Sequence, residues 1–275
     1  MLILLPSKSI VSPKSINGLN VWFDATQGLF DSTTGGNPVT TNGSQIARWE
    51  DQSGNGWHLT QATSGSRPTL TTSALNAKNG VTFNGVSQHI RDTTNNAGNL
   101  LSNQLFVFMV FKFQTYSGTN FINIISKNGG TQSGQAGSWH IRRWDMTPYG
   151  GTTGTFMTQI YTNGLWEYGI PNFNSTTYQY AVFTFPRTQV RSFDGDVYVN
   201  DSLLATRTGM SDNGSPGAAT NQSFNLGSRL TTSSYTPDLF CDCTICDVAV
   251  YLRNYNFTQR EYQGLSNYFR KKWAI

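Results

Sequence analysis

Carboxylates are the first place to look for chemistry in this chain, and they are sparse and scattered. Glu50, Glu167 and Glu261 are its only glutamates, and more than ninety residues separate each from the next. Retaining hydrolysis of a glycosidic bond needs two carboxyl groups about 5 Å apart, a spacing that i and i+4 on one strand face can deliver. No glutamate pair in this sequence can do so. The nearest carboxylate pair on one strand is Asp194 and Asp196, and its plainer reading is a turn beside a hairpin. The sequence contains no Gly-x-Ser-x-Gly elbow, no phosphate loop and no His-Glu-x-x-His. An enzyme is not expected.

Cys241-x-Cys243-x-x-Cys246 invites a zinc reading, but a structural zinc takes four ligands and the nearest histidine, His140, is about a hundred residues upstream. On a strand Cys241 and Cys243 share a face while Cys246 points the other way, so the three read as small buried residues. Sugar recognition asks for an aromatic platform with polar partners in a shallow cleft. The candidates are His140, Arg142, Trp144, Trp166 and Tyr168, with Trp57-His58 in another loop. Trp139 alternates with Ile141 and reads as core. Trp144 and Trp166 lie near turns and are the better exposed pair.

These side chains need strands to hold them. Leu105 to Phe113 has eight apolar residues in nine, rich in β-branched and aromatic types and free of glycine and proline. A half-buried strand would alternate polar and apolar residues, so this one is expected to be central and covered on both faces. Shorter strands are expected around it, among them Leu19–Asp24, Gly80–Gly85, Ser138–Trp144, Tyr178–Phe185 and Ile245–Tyr251. Turn-dense stretches separate them. One helix is legible. Thr258-Gln-Arg-Glu261 fits a capping box, Phe257 and Tyr262 fit a hydrophobic staple, and Tyr262, Leu265, Phe269 and Trp273 share a helical face. The fold class is all-β, a two-sheet antiparallel jelly-roll sandwich with one C-terminal α-helix. An extended arm is expected over 1–16 and one domain over 17–275.

Composition agrees. Charged residues make up only 12% of the 275, glycine occurs 27 times and aromatics reach 13%. The net charge of +4 is not gathered into a basic stripe. Arg270-Lys271-Lys272 falls at the end of the expected helix, where cations suit the dipole. Nucleic-acid binding is therefore not expected. No 18-residue apolar run exists, so no membrane insertion is expected. The opening Met-Leu-Ile-Leu-Leu-Pro is too short, and lacks the basic start, for an ordinary signal peptide.

Five stretches resemble a known family. Leu19-Asn-Val-Trp-Phe-Asp-Ala25, Trp49-Glu-Asp-Gln-Ser-Gly-Asn-Gly56 with Arg67-Pro68, and Asn79-Gly-Val-Thr-Phe-Asn-Gly85 are three of them. Val197-Tyr-Val-Asn200 is the fourth. Cys246-Asp-Val-Ala-Val-Tyr251, through to Lys271-Lys-Trp-Ala-Ile275, is the fifth. Together they resemble the laminin-G-like domains of the concanavalin A-like lectin/glucanase superfamily, nearest to a subgroup of phage and viral structural proteins. Asp201 and Ala274 stand where that pattern has glycine, and Asp247 where it has glutamate.

The resemblance implies a non-enzymatic virion surface component, such as a capsid decoration, fibre or tail-associated protein, with glycan binding as an added ability. Its partners would be other capsid or tail proteins, reached through the N-terminal arm, and host-surface glycans, with the chain as a homo-oligomer. The alternatives are a free secreted or cell-surface lectin and, behind it, a glycoside hydrolase. The resemblance also points to calcium (Ca2+), held by the loop residues Asp51 and Asn55 with either Asp247 or Asp24 as partner. The competing reading of Asp51 is a turn capped by its own side chain.

Overall fold

Leu105, Val107, Met109, Phe111 and Phe113 face one apolar core, Phe106, Phe108 and Val110 face a second, and all eight are buried. The first core fills a two-sheet sandwich. The second lies between the outer face of one sheet and the C-terminal helix, so the central strand is apolar throughout because both its sides are covered.

This computed structural model describes residues 11–98, 104–114, 122–128, 139–144, 155–161, 165–170, 176–185, 193–210, 222–230 and 236–275. The described strands begin with β1 (Leu19–Asp24), β2 (Leu29–Ser32), β3 (Gly35–Pro38), β4 (Arg48–Trp49), β5 (Leu59–Thr60), β6 (Thr69–Leu75) and β7 (Lys78–Asn84). Next come β8 (Ile90–Asp92), β9 (Gln104–Phe113), β10 (Ile122–Asn128), β11 (Trp139–Trp144), β12 (Thr155–Tyr161) and β13 (Leu165–Ile170). The last are β14 (Gln179–Phe185), β15 (Phe193–Val199), β16 (Ser202–Met210), β17 (Ser223–Leu226), β18 (Arg229–Leu230), β19 (Pro237–Asp238) and β20 (Asp242–Arg253), followed by α1 (Gln259–Trp273).

One sheet runs β16-β15-β14-β9-β20-β7-β6, with β1 also paired to β20. The other runs β13-β12-β11-β10-β17-β8-β5-β4-β2-β3. Every described ladder is antiparallel, and β1 pairs with β20, so the first and last described strands are neighbours. This is the jelly-roll sandwich that the spacing predicts. Gly227 follows β17 with φ +83°, and a Cβ there would lie 2.2 Å from the Phe83 ring. Only glycine fits that approach of the two sheets.

Helix α1 starts as expected. Thr258 Oγ1 accepts from the Glu261 N–H at 3.2 Å, and the Thr258 N–H donates to Glu261 Oε2 at 2.8 Å. Leu265, Phe269 and Trp273 are fully buried against β9, β14 and β20. Phe257 and Tyr262 both lean on Phe108, at ring separations of 5.5 and 6.1 Å. No helix among the described residues is long and apolar enough to cross a membrane.

Residues 1–10, with the apolar tip Leu2–Leu5, lie outside the described part. Residues 11–16 pack on the domain. Val11 lies against Gly264 of α1, and the buried Tyr251 hydroxyl donates to the Pro13 carbonyl at 2.9 Å. Cys241 and Cys243 both face the inter-sheet core and are joined as a disulfide, which their reading as plain small residues did not include. Cys246 is buried on the opposite face as a free thiol, so the three do not converge on a metal.

Candidate functional site

Residues from the first and fifth resembling stretches meet at one place. A bulge at Cys246 shifts the register of β20 on β9 and sets Asp247 opposite Asp24 of β1. Asp247 is fully buried. Its Oδ1 accepts from Trp22 Nε1 at 2.8 Å, and its Oδ2 accepts from Trp273 Nε1 at 2.9 Å and Lys272 Nζ at 2.6 Å. Lys272 Nζ also lies 2.7 Å from Asp24 Oδ2. Burial, with Asp24 beside it, pushes the Asp247 carboxyl up to about 6 although Lys272 pulls the other way. Burial pulls the Lys272 ammonium down, but Asp247 and Asp24 outweigh it and hold it above the ordinary lysine value.

The expected calcium donors make hydrogen bonds of their own. Asp51 Oδ1 accepts from the backbone N–H groups of Trp22 (3.0 Å) and Ser53 (2.8 Å), and its Oδ2 from the Ser53 hydroxyl and the Trp57 N–H. This is the capped turn, and it leaves the carboxylate facing donors rather than a cation. Asn55 turns its Nδ2 to the Leu19 and Asn20 carbonyls. Asp51 and Asp247 contact different ends of Trp22, its backbone and its indole. Among the described residues, no group of three or more His, Cys, Asp or Glu side chains is arranged to hold a metal.

The expected sugar residues divide between register rows. His140 pairs with Ser126 and Gln159, and Arg142 with Asn123 and Met157, on the face of the sheet turned away from the core-facing Trp139 and Ile141. Trp166 and Tyr168 align instead with Ile160 and Thr158, hence with the Trp139 and Ile141 rows. The side chains of Trp144, Trp166 and Tyr168 lie outside the described part. His140 and Arg142 are buried, so they offer no exposed platform. Burial first, then Arg142 and Arg229, holds the His140 imidazole well below its ordinary value. Trp57 is half-buried against the inter-sheet core, and the His58 ring accepts from the Asp51 N–H.

An open cleft lies elsewhere, where α1 begins and stops covering the outer face of its sheet. Its volume is about 340 Å³, and it is lined by Phe106, Thr184, Asp196, Tyr198, Asn256, Phe257, Gln259 and Tyr262. Alternation in β15 aims Val197 and Val199 inward and Asp196 and Tyr198 toward this cleft. Phe106 meets Phe257 edge-on at 4.8 Å, and Tyr198 meets Tyr262 at 5.5 Å. The Tyr198 hydroxyl donates to Asp196 Oδ2 at 3.1 Å, and the Thr184 hydroxyl accepts the Asp196 N–H at 3.1 Å. Behind Phe257, the Arg253 guanidinium stacks at 4.2 Å and bonds Glu261 at 3.1 Å, which holds the entry loop against the helix cap. Burial raises the Tyr262 phenol, helped by Tyr198, Asp201 and Asp196, so it stays protonated. The cleft thus combines aromatic walls, a carboxylate, and the amide side chains of Asn256 and Gln259, both exposed at its rim. Sequence reasoning missed it because its residues come from separate strands, a loop and a helix.

No family model and no curated protein matches the chain. Solved structures do. One is a GH54 α-L-arabinofuranosidase complexed with arabinofuranosyl-α-1,2-xylobiose, at a TM-score of 0.54 and 18% identity over 82% of this chain and 50% of that one. Another is the binding domain of botulinum neurotoxin serotype D, at a TM-score of 0.53 and 11% identity over 91% of this chain and 51% of that one. The chain spans about half the length of each. At these identities the likeness is one of fold.

Proposed function

We propose that this chain is a non-catalytic carbohydrate-binding module and that the cleft at the start of α1 is its sugar site. The observation that carries the reading is the cleft's mixture: aromatic faces for the apolar side of a sugar ring, with a carboxylate and two amides for its hydroxyls. Among the described residues Asp196 is the only carboxylate lining it, whereas glycosidic hydrolysis uses two. The test is a glycan array followed by calorimetric titration, comparing the parent chain with the double variant Asn256→Ala/Gln259→Ala. Both positions are exposed, so folding is expected to survive. Binding that weakens at least tenfold in the variant supports the reading, while a blank array or unchanged affinity removes it.

The resemblance supports a setting for the module: the surface of a virus particle, as repeated copies held by the residues ahead of Val11. Val11 and Pro13 are fixed on α1 and β20, so anything ahead of them leaves the domain from a defined point. Density-gradient sedimentation with intact particles tests this. Stoichiometric co-sedimentation, lost on deleting residues 2–10, supports it. Recovery only as free protein leaves the secreted lectin.

A further inference from the structure

Tyr255 stands in the loop between β20 and α1, next in the chain to Asn256 and Phe257, which line the cleft. It is 52% exposed, and among the described residues it is the only Phe, Tyr or Trp left open to solvent. The Arg253 guanidinium lies over the Tyr255 ring at 4.3 Å and over the Phe257 ring at 4.2 Å, so one cation joins the open ring to the cleft wall. We propose that Tyr255 is a second sugar platform continuous with the cleft. The module then takes an oligosaccharide of equatorially substituted pyranoses, with one ring in the cleft and the next across Tyr255. This inference rests on the reading of the cleft as the sugar site.

Three observations carry this. The ring is held in place before any ligand arrives. The Arg253 side chain is 1% exposed and donates to both Glu261 oxygens, at 3.1 and 3.2 Å, while Glu261 accepts from the Thr258 N–H at 2.8 Å and the Thr258 hydroxyl at 3.0 Å. The helix cap thus fixes the guanidinium, and the guanidinium fixes the ring. A platform ordered in advance loses little freedom on binding. The position is also telling. The other large apolar side chains left exposed among the described residues, Val86, Leu203 and Leu204, are aliphatic, so the one open ring falls at the rim of the cleft. The chemistry then matches. Arg253 occupies one face of Tyr255, and the other face is open to the C–H groups on the flat side of a pyranose whose hydroxyls are equatorial. The hydroxyls at the edge of that sugar reach the exposed Asn256 amide beside it.

The test titrates the full chain by calorimetry with glucose, xylose and N-acetylglucosamine, and with the β-1,4-linked tetramer of each. The parent is expected to bind at least one tetramer about fivefold or more tighter than its monomer. Tyr255→Ala is expected to erase most of that ratio, and Tyr255→Phe, which keeps the ring, is expected to retain it. Each ratio is read well below the melting temperature of the variant, so a small loss of stability does not enter it. Equal affinity of the parent for monomer and tetramer, or a ratio that survives Tyr255→Ala, overturns the second platform and leaves the cleft as the sugar site. A parent that binds none of these probes also overturns it, and the glycan array then decides the cleft separately: a hit of another sugar class keeps the cleft reading, and a blank array removes both.

Discussion

Lys127 lies in the wrong place for a charge, and its replacement by methionine should reveal the cost. Its register partners are Trp139 and Phe224, both in the inter-sheet core, and the residue is fully buried. The ammonium donates to two backbone carbonyls, Asn95 at 2.9 Å and Gln222 at 2.6 Å. Burial lowers its pKa from 10.5 to about 7, with Asp92 only partly opposing. A lysine lowered on folding means that the folded state binds fewer protons between those two values. Stability therefore rises with pH across that window, by about 4 kcal/mol between pH 6 and pH 10 at about 1.4 kcal/mol per unit. Lys127→Met keeps the length and removes the titration. Its loss of two hydrogen bonds costs about 1–3 kcal/mol each at every pH, which moves the curve without tilting it. Urea melts of both proteins from pH 6 to pH 10 should show the variant's relative stability falling by about 4 kcal/mol as pH rises. A difference constant within about 1 kcal/mol would refute the idea that Lys127 is a buried charge held by neutral carbonyls.

Three further substitutions test the backbone and the caps. Ala274 ends α1 in the left-handed region, at φ 51° and ψ 52°. Ala274→Gly should therefore raise stability by roughly 0.5–1 kcal/mol in a urea melt, and a loss would show the strain to be relieved elsewhere. Gly227→Ala should cost more than about 3 kcal/mol, from left-handed strain and overpacking on Phe83, seen as loss of soluble protein or a steep fall in melting temperature. Thr258→Ala removes the cap acceptor of Glu261 N–H and should cost about 1 kcal/mol by the same melt, with most of the loss as fraying at the start of the helix.

The parts of the fold legible in the sequence are those where a local pattern and a burial pattern coincide. The apolar run of β9 requires cover on both faces, and the structure supplies a core on each. The Thr258 and Glu261 spacing requires a helix start, and both cap bonds form. The ion cluster was not legible as such. Asp24 and Asp247 were expected as alternative partners of the Asp51 loop and instead face each other across Lys272, which reads from sequence as a cation suiting a helix end; nothing local says that the helix carries it back to β1 and β20. The expected sugar residues fall on different register rows because the β11–β12 and β12–β13 pairings align Trp166 and Tyr168 with Trp139 and Ile141, and cross-strand register is invisible to local alternation.

The same reasoning explains why the motif resemblance says little about binding. Trp22 and Asp24 from the first stretch, Asp51 from the second, Asp247 from the fifth and Lys272-Trp273 at the end all serve one structural junction. Asn200, from the fourth, accepts the Tyr180 N–H at 3.0 Å, and Asp201 beside it bonds Ser266 and Arg270 of α1. Asp201 thus takes a left-handed φ of 66° where the related pattern has glycine, and in return ties the β15–β16 hairpin to the helix. These residues close the sandwich and seat α1, a structural task. The cleft draws Tyr198 from the fourth stretch, but Asn256, Phe257 and Gln259 lie outside all the motif residues that built the resemblance. The junction and the cleft are therefore built from largely separate residues, so the resemblance speaks to how the fold closes and not to what the cleft holds.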